Sequence, residues 1–311
     1  MSFDYSVVIP SFERRPVLAE VLRALDAQRE APTFEIVVVD DGSRDGTAAW
    51  LADVRLERPF RVHSELHRGP AAARNRGVTA AAGERIAFLG DDTVPEPDWL
   101  ARHAAAHRAR LGVGTPAGIA VVGRVDWHPR MRSTELLRYI NEHGLQFGFA
   151  LIDEPENVPF NFFYTSNLSL ERERLLAEPF DERFPYPAWE DIEAAYRLTR
   201  AGLRLVYEPR ARVLHDHPTD FRRFARRQER AGFCAVVFAR LHPELAGFVG
   251  LGFDGPPPIP PRLRQWWREG VVRALQFLPV RLPEMWELAF RFHYVRGMQR
   301  AWRELPAVPK E

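Results

Sequence analysis

Two patterns of apolar residues alternate along the first half of the chain. Short continuous apolar runs, typical of strands buried on both faces, predict strands at residues 5–10, 34–39, 60–63, 86–89 and 118–125. Between them, apolar residues recur every three or four positions, which predicts helices at residues 17–28, 46–54, 71–81 and 97–110. This alternation predicts an α/β fold, with a mostly parallel mixed sheet covered by helices on both faces.

The pattern is less regular in the second half. We expect a helix at 132–142, a loop or lid at 144–159, a strand at 162–170, a helix at 189–201 and short strands at 203–207 and 212–214. A basic helix at 221–240 and a proline-rich linker at 254–261 follow, then aromatic-rich helices at 263–278 and 283–305.

These segments predict a domain organisation. Residues 1–217 form the α/β domain, with a first half at 1–125 and a second half at 126–217. Residues 218–253 form a basic amphipathic helical region, 254–261 the linker, and 262–311 a C-terminal helical extension.

Composition narrows the functional classes. The formal net charge of +1 gives no strong overall field, so nucleic acid is not an expected partner. Cys234 is the only cysteine, which excludes an intrachain disulfide and a cysteine-based zinc site. We find no signal peptide and no apolar run long enough to span a membrane, and expect a cytoplasmic protein.

Two acidic pairs end predicted strands. Asp40 and Asp41 close the run 36–39, while Asp91 and Asp92 follow the run 86–89 after one glycine. Ligands of open α/β sheets bind at the carboxyl ends of the strands, and adjacent carboxylates there need a cation or hydrogen-bond donors. Mg²⁺ and Mn²⁺ take oxygen ligands and are often shared with phosphates. The pairs therefore predict a site for a metal and a diphosphate.

Several motifs together resemble family 2 glycosyltransferases with a GT-A fold. They are Val7-Val8-Ile9-Pro10-Ser11-Phe12, Val37-Val38-Val39-Asp40-Asp41-Gly42-Ser43, Gly69-Pro70-Ala71, Arg74-Asn75, Phe88-Leu89-Gly90-Asp91-Asp92, Thr165-Ser166-Asn167-Leu168-Ser169-Leu170, Pro179-Phe180-Asp181-Glu182-Arg183-Phe184, Trp189-Glu190-Asp191 and His215. They stand in the family's order over about residues 5–217. The resemblance implies a metal-dependent enzyme that inverts the anomeric centre in a single displacement.

The resemblance also implies residue roles on the nucleotide side. Asp41 would accept from the nucleobase N3–H, while Pro10 and Ser11 would line the base and ribose. Asp91 would lie near the ribose or the sugar. Two departures from the family pattern are Phe12-Glu13, where Tyr-Asn is common, and Thr93, where a third carboxylate often stands. We include Glu13 among the nucleotide-binding residues.

Metal and catalytic roles follow from the same resemblance. Asp92 would ligate Mn²⁺ or Mg²⁺, and His215 would approach the metal or the diphosphate. Asp191 would be the general base. An acidic residue that stabilises a helix N-terminus is the alternative for Asp191. Arg74 could hold the diphosphate through its planar fork, or it could lie on a solvated helix face.

Aromatic and polar residues suggest where sugars bind. Tyr164 and Asn167 stand in an aromatic, hydroxyl-rich stretch and are candidates for contacts to the acceptor or the donor sugar, with a buried strand as the alternative. Trp189 and Glu190 are further candidates because they immediately precede Asp191.

Three histidines suggest metal sites that we set aside. His103 and His107 have metal-like spacing but lack the glutamate of the zinc-protease motif, so we expect them on a helix surface. His217 would share a face with His215 only in a continued strand, and Pro218 indicates that the strand ends.

The sequence therefore predicts a glycosyltransferase that moves a sugar from a UDP-linked donor to a glycan, a lipid-linked intermediate or a small molecule. A nucleotidylyltransferase and a non-catalytic nucleotide-sugar-binding or scaffold protein are the alternatives. The arginines of 221–240 could lie on an anionic membrane or form a solvated helix face. The C-terminal aromatic residues could form a helical core, a homodimer face or membrane anchors.

Overall fold

The computed structural model describes residues 3–110, 118–131, 134–252, 255–259, 261 and 283–306. These fall into two compact units. The sheet unit lies within Met1–Ser133, Ile140–Glu182 and Asp191–His217. The helical unit lies within Thr134–Tyr139, Arg183–Glu190 and Pro218–Glu311.

The strands follow the predicted order. They are β1 (Phe3–Ser11), β2 (Phe34–Asp40), β3 (Phe60–Ser64), β4 (Gly83–Leu89), β5 (Thr93–Pro95), β6 (Ile119–Trp127), β7 (Asn167–Glu171) and β8 (Arg204–His215). The described residues place them in one sheet, in the order β3-β2-β1-β4-β7-β6-β8-β5. Neighbours pair parallel except for β4–β7, β6–β7 and β5–β8. The prediction of a mostly parallel mixed sheet is confirmed.

Helices separate most of the strands along the chain, and the last two follow the final strand. They are α1 (Arg15–Asp26), α2 (Thr47–Asp53), α3 (Pro70–Ala80), α4 (Trp99–Ala109), α5 (Glu135–Glu142), α6 (Arg172–Ala177), α7 (Glu190–Arg200), α8 (Phe221–Leu241) and α9 (Pro283–Glu304). Short 3-10 turns lie at Phe149–Leu151, Phe160–Phe162 and Pro243–Leu245. No helix in these ranges combines the length and hydropathy that crossing a membrane requires.

Both faces of the sheet are buried, which explains the continuous apolar runs. Val8, Val37 and Phe88 point into a core on one face, and their chain neighbours Val7 and Val38 point into a core on the other. Because successive strand side chains alternate in direction, a strand covered on both sides needs apolar residues at every position.

A buried amide links four elements near the end of the sheet. Asn167 Oδ1 accepts from Trp99 Nε1 at 2.7 Å and from His103 Nε2 at 2.9 Å. Its Nδ2 donates to Arg124 O at 2.9 Å and to Ala211 O at 2.8 Å. The Asn167 amide thus uses both of its N–H donors and both acceptor sites of its oxygen, which offsets the free-energy cost of burying these polar groups.

The two carbonyl acceptors lie at an irregularity between β6 and β8. Gly123 pairs with Glu208, but Arg124 pairs with Arg212, so three residues of β8 bulge out. A Cβ on Gly123 would lie 2.2 Å from Ala211 O and 2.4 Å from Asn167 Nδ2, which only glycine avoids. The prediction of two short strands at 203–207 and 212–214 is wrong, because the bulge interrupts one continuous strand.

Some predicted boundaries differ from the structure. The predicted strand 162–170 begins only at Asn167, and the short β5 and α6 were not predicted. The described part of the predicted helix 132–142 starts at Glu135. The predicted helix 263–278 lies outside the described residues, as do Asp254 and Pro260 of the predicted linker.

His103 and His107 are buried, so the prediction of a surface position is wrong. His103 Nδ1 accepts from Ser169 Oγ at 2.9 Å, and His107 Nε2 donates to the same oxygen at 2.9 Å. Burial lowers the pKa of His103 to about 4 and that of His107 to about 3. Both imidazoles are neutral parts of the polar network around Asn167.

Acid should therefore destabilise this fold. Between about pH 6.5 and pH 4.5 the unfolded chain binds protons at these histidines and the folded chain does not, so the free energy of unfolding falls by up to about 1.4 kcal/mol per pH unit for each. His107→Gln should reduce that slope by about this amount, measured by urea unfolding across the pH range. Leu22→Ala should lower stability at every pH without changing the slope, and an unchanged slope in His107→Gln would contradict the assignment.

Candidate active site

The carboxyl ends of β1, β2 and β4 meet at one edge, as the acidic pairs predict. Ser11 pairs with Asp40 across β1 and β2. Asp41 N donates to Ser11 O at 2.9 Å, and Phe12 N donates to Asp91 Oδ2 at 3.2 Å. The structure thus brings Ser11, Asp41 and Asp91 together.

Asp41 organises the start of α3. Its side chain is buried, and Oδ1 accepts from Arg68 N at 2.8 Å while Oδ2 accepts from Gly69 N at 2.9 Å. His67 Nδ1 lies 2.8 Å from Oδ2. Because each carboxylate oxygen has two lone pairs, Asp41 keeps some capacity to accept from a ligand.

An exposed aromatic pair lies beside Asp41. The rings of Phe12 and His67 stack with centroids 4.2 Å apart and planes 25° apart. Both side chains are more than one third exposed. They form a flat surface that our sequence reasoning did not identify, although an aromatic residue just after β1 was a usable signal.

Asp92, His215 and His217 form a cluster that could hold a metal ion. One ligand atom from each lies within 4.8 Å of the others. His215 Nε2 is 3.5 Å from Asp92 Oδ1, and His217 Nδ1 is 2.9 Å from Asp92 Oδ2. Asp216 N donates to Asp92 O at 2.8 Å, which holds the turn after β8 against the aspartate.

The β8 register places His215. It pairs with Thr93 of β5 and with Trp127 of β6. Its ring is buried and stacks between the rings of Trp127, 5.1 Å away, and His217, 5.5 Å away. This stacking fixes the plane of the imidazole beside Asp92.

The position of His217 differs from the one that our sequence analysis predicted. The strand does end at His215, as Pro218 indicates. The turn nevertheless returns the His217 ring onto His215, so setting His217 aside was wrong. Strand alternation could not reveal this contact, because a turn and not a strand makes it.

Arg14 contacts this cluster, and our sequence analysis did not identify it. Its Nη1 lies 2.7 Å from Asp92 Oδ2 and 2.8 Å from His217 Nδ1. The guanidinium is about one third exposed, at the start of α1.

The pKa values of the two adjacent aspartates, Asp91 and Asp92, shift in opposite directions. Burial and the charge of Asp92 raise the pKa of Asp91 to about 7, against the opposing charge of Arg14. Burial would also raise the pKa of Asp92, but His215, His217 and Arg14 hold it well below its usual range. Burial lowers the pKa of His217, with Asp92 opposing. At neutral pH the charge resides mainly on Asp92, and His217 is neutral, as a metal ligand must be.

The donor set fits a divalent cation. One carboxylate and two imidazoles suit Mn²⁺ or another first-row transition ion, whereas Mg²⁺ prefers oxygen ligands. Nδ1 of His215 is buried without a hydrogen-bond partner among the described residues, so this polar group is not used in holding the fold.

The other predicted nucleotide-side residues lie around this edge in different settings. Pro10 is half-buried near the end of β1. Glu13 is exposed with a φ of 53°, and its N donates to Ser43 Oγ at 2.8 Å. Arg74 is buried, with its guanidinium 5.6 Å from the Phe180 ring centroid.

Asn167 and Tyr164 have different environments. Asn167 is fully buried in the network described above, so it exposes no surface to a sugar. Tyr164 is half-buried, and its hydroxyl accepts from Gly148 N at 3.2 Å.

The predicted residues around α7 are divided between the units. Asp191 is half-buried in the first turn of α7, and its Oδ1 accepts from Ile192 N at 2.9 Å. Glu190 is buried. In the helical unit, Trp189 has a φ of 72° and donates from Nε1 to Ala231 O at 3.0 Å.

A cavity of about 300 Å³ lies in the sheet unit. Its lining combines aromatic rings with charged and amide groups: Arg124, Val125, Asp126, Asn141, Glu142, Phe147, Phe149, Ala150 and Tyr207. The Phe147 ring also contacts His215, with centroids 5.5 Å apart. One ring of the cavity lining, Phe147, therefore contacts the metal-ligand cluster.

Comparisons with known proteins agree with this architecture. A family model described as "Glycosyl transferase family 2" matches residues 6–169. A pre-mycofactocin glycosyltransferase of Mycobacterium tuberculosis is 29% identical over 254 residues, covering 78% of this chain and 48% of the relative. The chain thus spans about half the length of that curated relative.

Solved structures share the fold. A mannosyltransferase from Pyrobaculum calidifontis in complex with GDP-Man and Mn²⁺ gives a TM-score of 0.62 at 18% identity, covering 98% of this chain and 88% of that one. S. aureus TarS 1-349 in complex with UDP-GlcNAc gives a TM-score of 0.53 at 15% identity, covering 96% and 91%. The predicted GT-A fold is confirmed.

His217 should be needed for metal binding. His217→Gln removes one of three ligands, so the affinity for Mn²⁺ without nucleotide should fall by at least about tenfold, measured by isothermal titration calorimetry. His128→Gln is the control, because His128 lies nearby but outside the cluster. Equal affinity in His217→Gln and wild type would remove His217 from the site.

Proposed function

The chain belongs to glycosyl transferase family 2, and we propose that it moves a sugar from a UDP-linked donor to a hydroxyl acceptor with inversion at the anomeric carbon. The observation that carries the proposal is the Asp92, His215 and His217 cluster, whose Asp92 follows Asp91 at the sheet edge where the end of β2 also places Asp41. A divalent-cation site at the carboxyl edge of a GT-A sheet suits a nucleoside diphosphate.

Asp41, Phe12 and His67 support the proposal on the nucleotide side. In it, Asp41 accepts from the nucleobase N3–H and the Phe12–His67 stack offers an aromatic surface to the base. Pro10 and Ser11 line the base and ribose, and Glu13 and Asp91 approach the ribose or sugar. The nucleotide sugars bound to the two structural neighbours support a donor of this class.

Cations near Asp92 would stabilise the leaving diphosphate. Of the two ions the family resemblance implies, Asp92, His215 and His217 would hold Mn²⁺ in preference to Mg²⁺ because of the two imidazoles, and the ion would act as a Lewis acid on the diphosphate oxygens. Arg74 remains a proposed diphosphate residue from the family resemblance, and its guanidinium lies over the Phe180 ring.

Asp191 would take the proton of the acceptor hydroxyl, a poor nucleophile until a positioned carboxylate does so. The bond from the hydroxyl oxygen to the anomeric carbon then forms as the bond to the diphosphate oxygen breaks. Attack opposite the leaving group inverts the anomeric centre and needs no covalent intermediate.

The cavity beside Phe147 supports an acceptor with sugar-like chemistry. Phe147, Phe149 and Tyr207 offer ring faces, and Asp126 and Glu142 offer acceptors for hydroxyl groups. A glycan, a lipid-linked intermediate and a small glycoside all fit this description. Tyr164, Trp189, Glu190 and Asn167 remain acceptor or donor-sugar residues of the proposal, Asn167 only through its supporting hydrogen bonds.

The helical unit supports a peripheral membrane contact. Arg222, Arg223, Arg226, Arg227 and Arg230 are all exposed on α8. Anionic lipid headgroups at the inner face of the membrane would match this row. We propose a cytoplasmic protein that reaches a lipid-linked acceptor in this way. A measurement of mass in solution would show whether the C-terminal helices also form a homodimer.

A panel of nucleotides tests the donor. UDP with Mn²⁺ should raise the melting temperature, because a ligand at a hundredfold excess over its Kd stabilises the folded state by about 2.7 kcal/mol. GDP, CDP, dTDP and ADP, and each nucleotide without metal, should raise it less. No response to any diphosphate would favour a scaffold protein, and a response to GDP alone would replace UDP in the proposal.

Asp191→Asn separates binding from chemistry. The change keeps the shape of the side chain but removes the proton acceptor, so transfer should fall by about a hundredfold or more while UDP binding is unchanged. Asp98→Asn, the same change just before α4, controls for the loss of an acidic residue near a helix start. Wild-type transfer in Asp191→Asn would eliminate Asp191 as the base.

A further inference from the structure

Both side chains that Arg14 contacts, Asp92 and His217, belong to the metal-ligand cluster. Its Nη1 lies 2.7 Å from Asp92 Oδ2 and 2.8 Å from His217 Nδ1, and those two atoms are 2.9 Å from each other. The three atoms form a compact triangle, so the guanidinium nitrogen lies within hydrogen-bond distance of both Asp92 Oδ2 and His217 Nδ1.

The valence of His217 Nδ1 makes this arrangement exclusive at that atom. A guanidinium nitrogen only donates, and a neutral imidazole nitrogen either carries a proton or offers one lone pair. If Nδ1 offers a lone pair, Arg14 uses it. If Nδ1 carries a proton, it donates to Asp92. In neither case is Nδ1 free for a metal ion.

Charge adds to the exclusion. A divalent ion bound to Asp92 and His217 would lie within a few ångströms of the guanidinium, and like charges at such a distance repel strongly in a partly buried site. Arg14 therefore occupies one atom of each of two metal-ligand candidates, Asp92 and His217, and places a positive charge beside them.

We propose that Arg14 is a displaceable cation that closes the metal site until a diphosphate draws it away. A guanidinium pairs well with phosphate oxygens through two parallel hydrogen bonds, so a bound diphosphate gives Arg14 a new partner. The diphosphate half of the proposal rests on the proposed function, whereas the competition with metal does not.

The local backbone suits such a movement. Arg14 follows Glu13, whose positive φ of 53° ends the turn after β1. Phe12 N, in the same turn, donates to Asp91, so the turn already lies against the acidic pair. The side chain is about one third exposed and could rotate without unpacking the core.

The consequence is cooperative binding. Diphosphate binding removes the competitor of the metal, and metal binding releases the arginine for the diphosphate. Each ligand should therefore raise the affinity of the other by the same factor, as linkage requires.

The test is the affinity for Mn²⁺, measured by electron paramagnetic resonance and calorimetry with and without UDP. Arg14→Gln should bind Mn²⁺ alone at least about fivefold more tightly than wild type, since typical coupling between sites is about 5- to 150-fold. The factor by which UDP raises Mn²⁺ affinity should shrink in the same variant. Arg14→Met, which lacks both charge and hydrogen bonds, should repeat both results.

Arg15→Gln is the matched control. It removes the same charge one residue away, but Arg15 is exposed and its guanidinium lies 5.8 Å from the Trp50 ring centroid. Its Mn²⁺ affinity should equal that of wild type, and Arg14→Lys, which keeps a competing charge, should stay close to wild type.

Unchanged or weaker Mn²⁺ binding in both neutral Arg14 variants would overturn the proposal, as would a gain of the same size in Arg15→Gln. If wild type binds no nucleoside diphosphate, the proposed function fails, but the measurement with Mn²⁺ alone still decides whether Arg14 competes with the metal.

Discussion

The candidate site depends on one buried amide, the side chain of Asn167. Asn167 joins α4, β6 and β8 through four hydrogen bonds, two of them to carbonyls at the β8 bulge. The bulge sets the register of the last residues of β8, which places His215 opposite Thr93 and Trp127. A slip of one residue would turn His215 to the other face of the sheet. The polar core thus determines where the His215 imidazole lies.

The second constraint is electrostatic. Two adjacent carboxylates at a strand end cannot both ionise in a partly buried setting without cations. Here Asp92 keeps the charge, because Arg14 and two imidazoles surround it, while the pKa of Asp91 rises to about 7. Asp91 is then suited to hydrogen bonding and Asp92 to binding a cation. The same pair of residues serves two purposes because their neighbours differ.

The sequence predicted the parts of the fold that local patterns determine. Continuous apolar runs located β1, β2 and β4, and their acidic ends located Asp41, Asp91 and Asp92. Long-range contacts were not predictable in this way. His217 joins the site through a turn after β8, and His103 and His107 are buried because Asn167 and Ser169 offer hydrogen bonds across 62 to 66 positions of the chain. Spacing along one helix carries no information about such partners.

The two sides of the site also differ in what builds them. The strand-end side consists of β-strand ends and of backbone amides, such as those of Arg68 and Gly69, which donate to the buried Asp41 carboxylate. The cavity side is lined in part by Phe147 and Phe149, which ring contacts with Tyr164 and Tyr207 hold in place and which belong to no ladder. Because side-chain contacts can be replaced without breaking the sheet, the shape of the cavity can change while the strand-end side stays intact. Under the proposed function this cavity takes the acceptor, so acceptor choice would be the property that a few substitutions around Phe147 alter most readily.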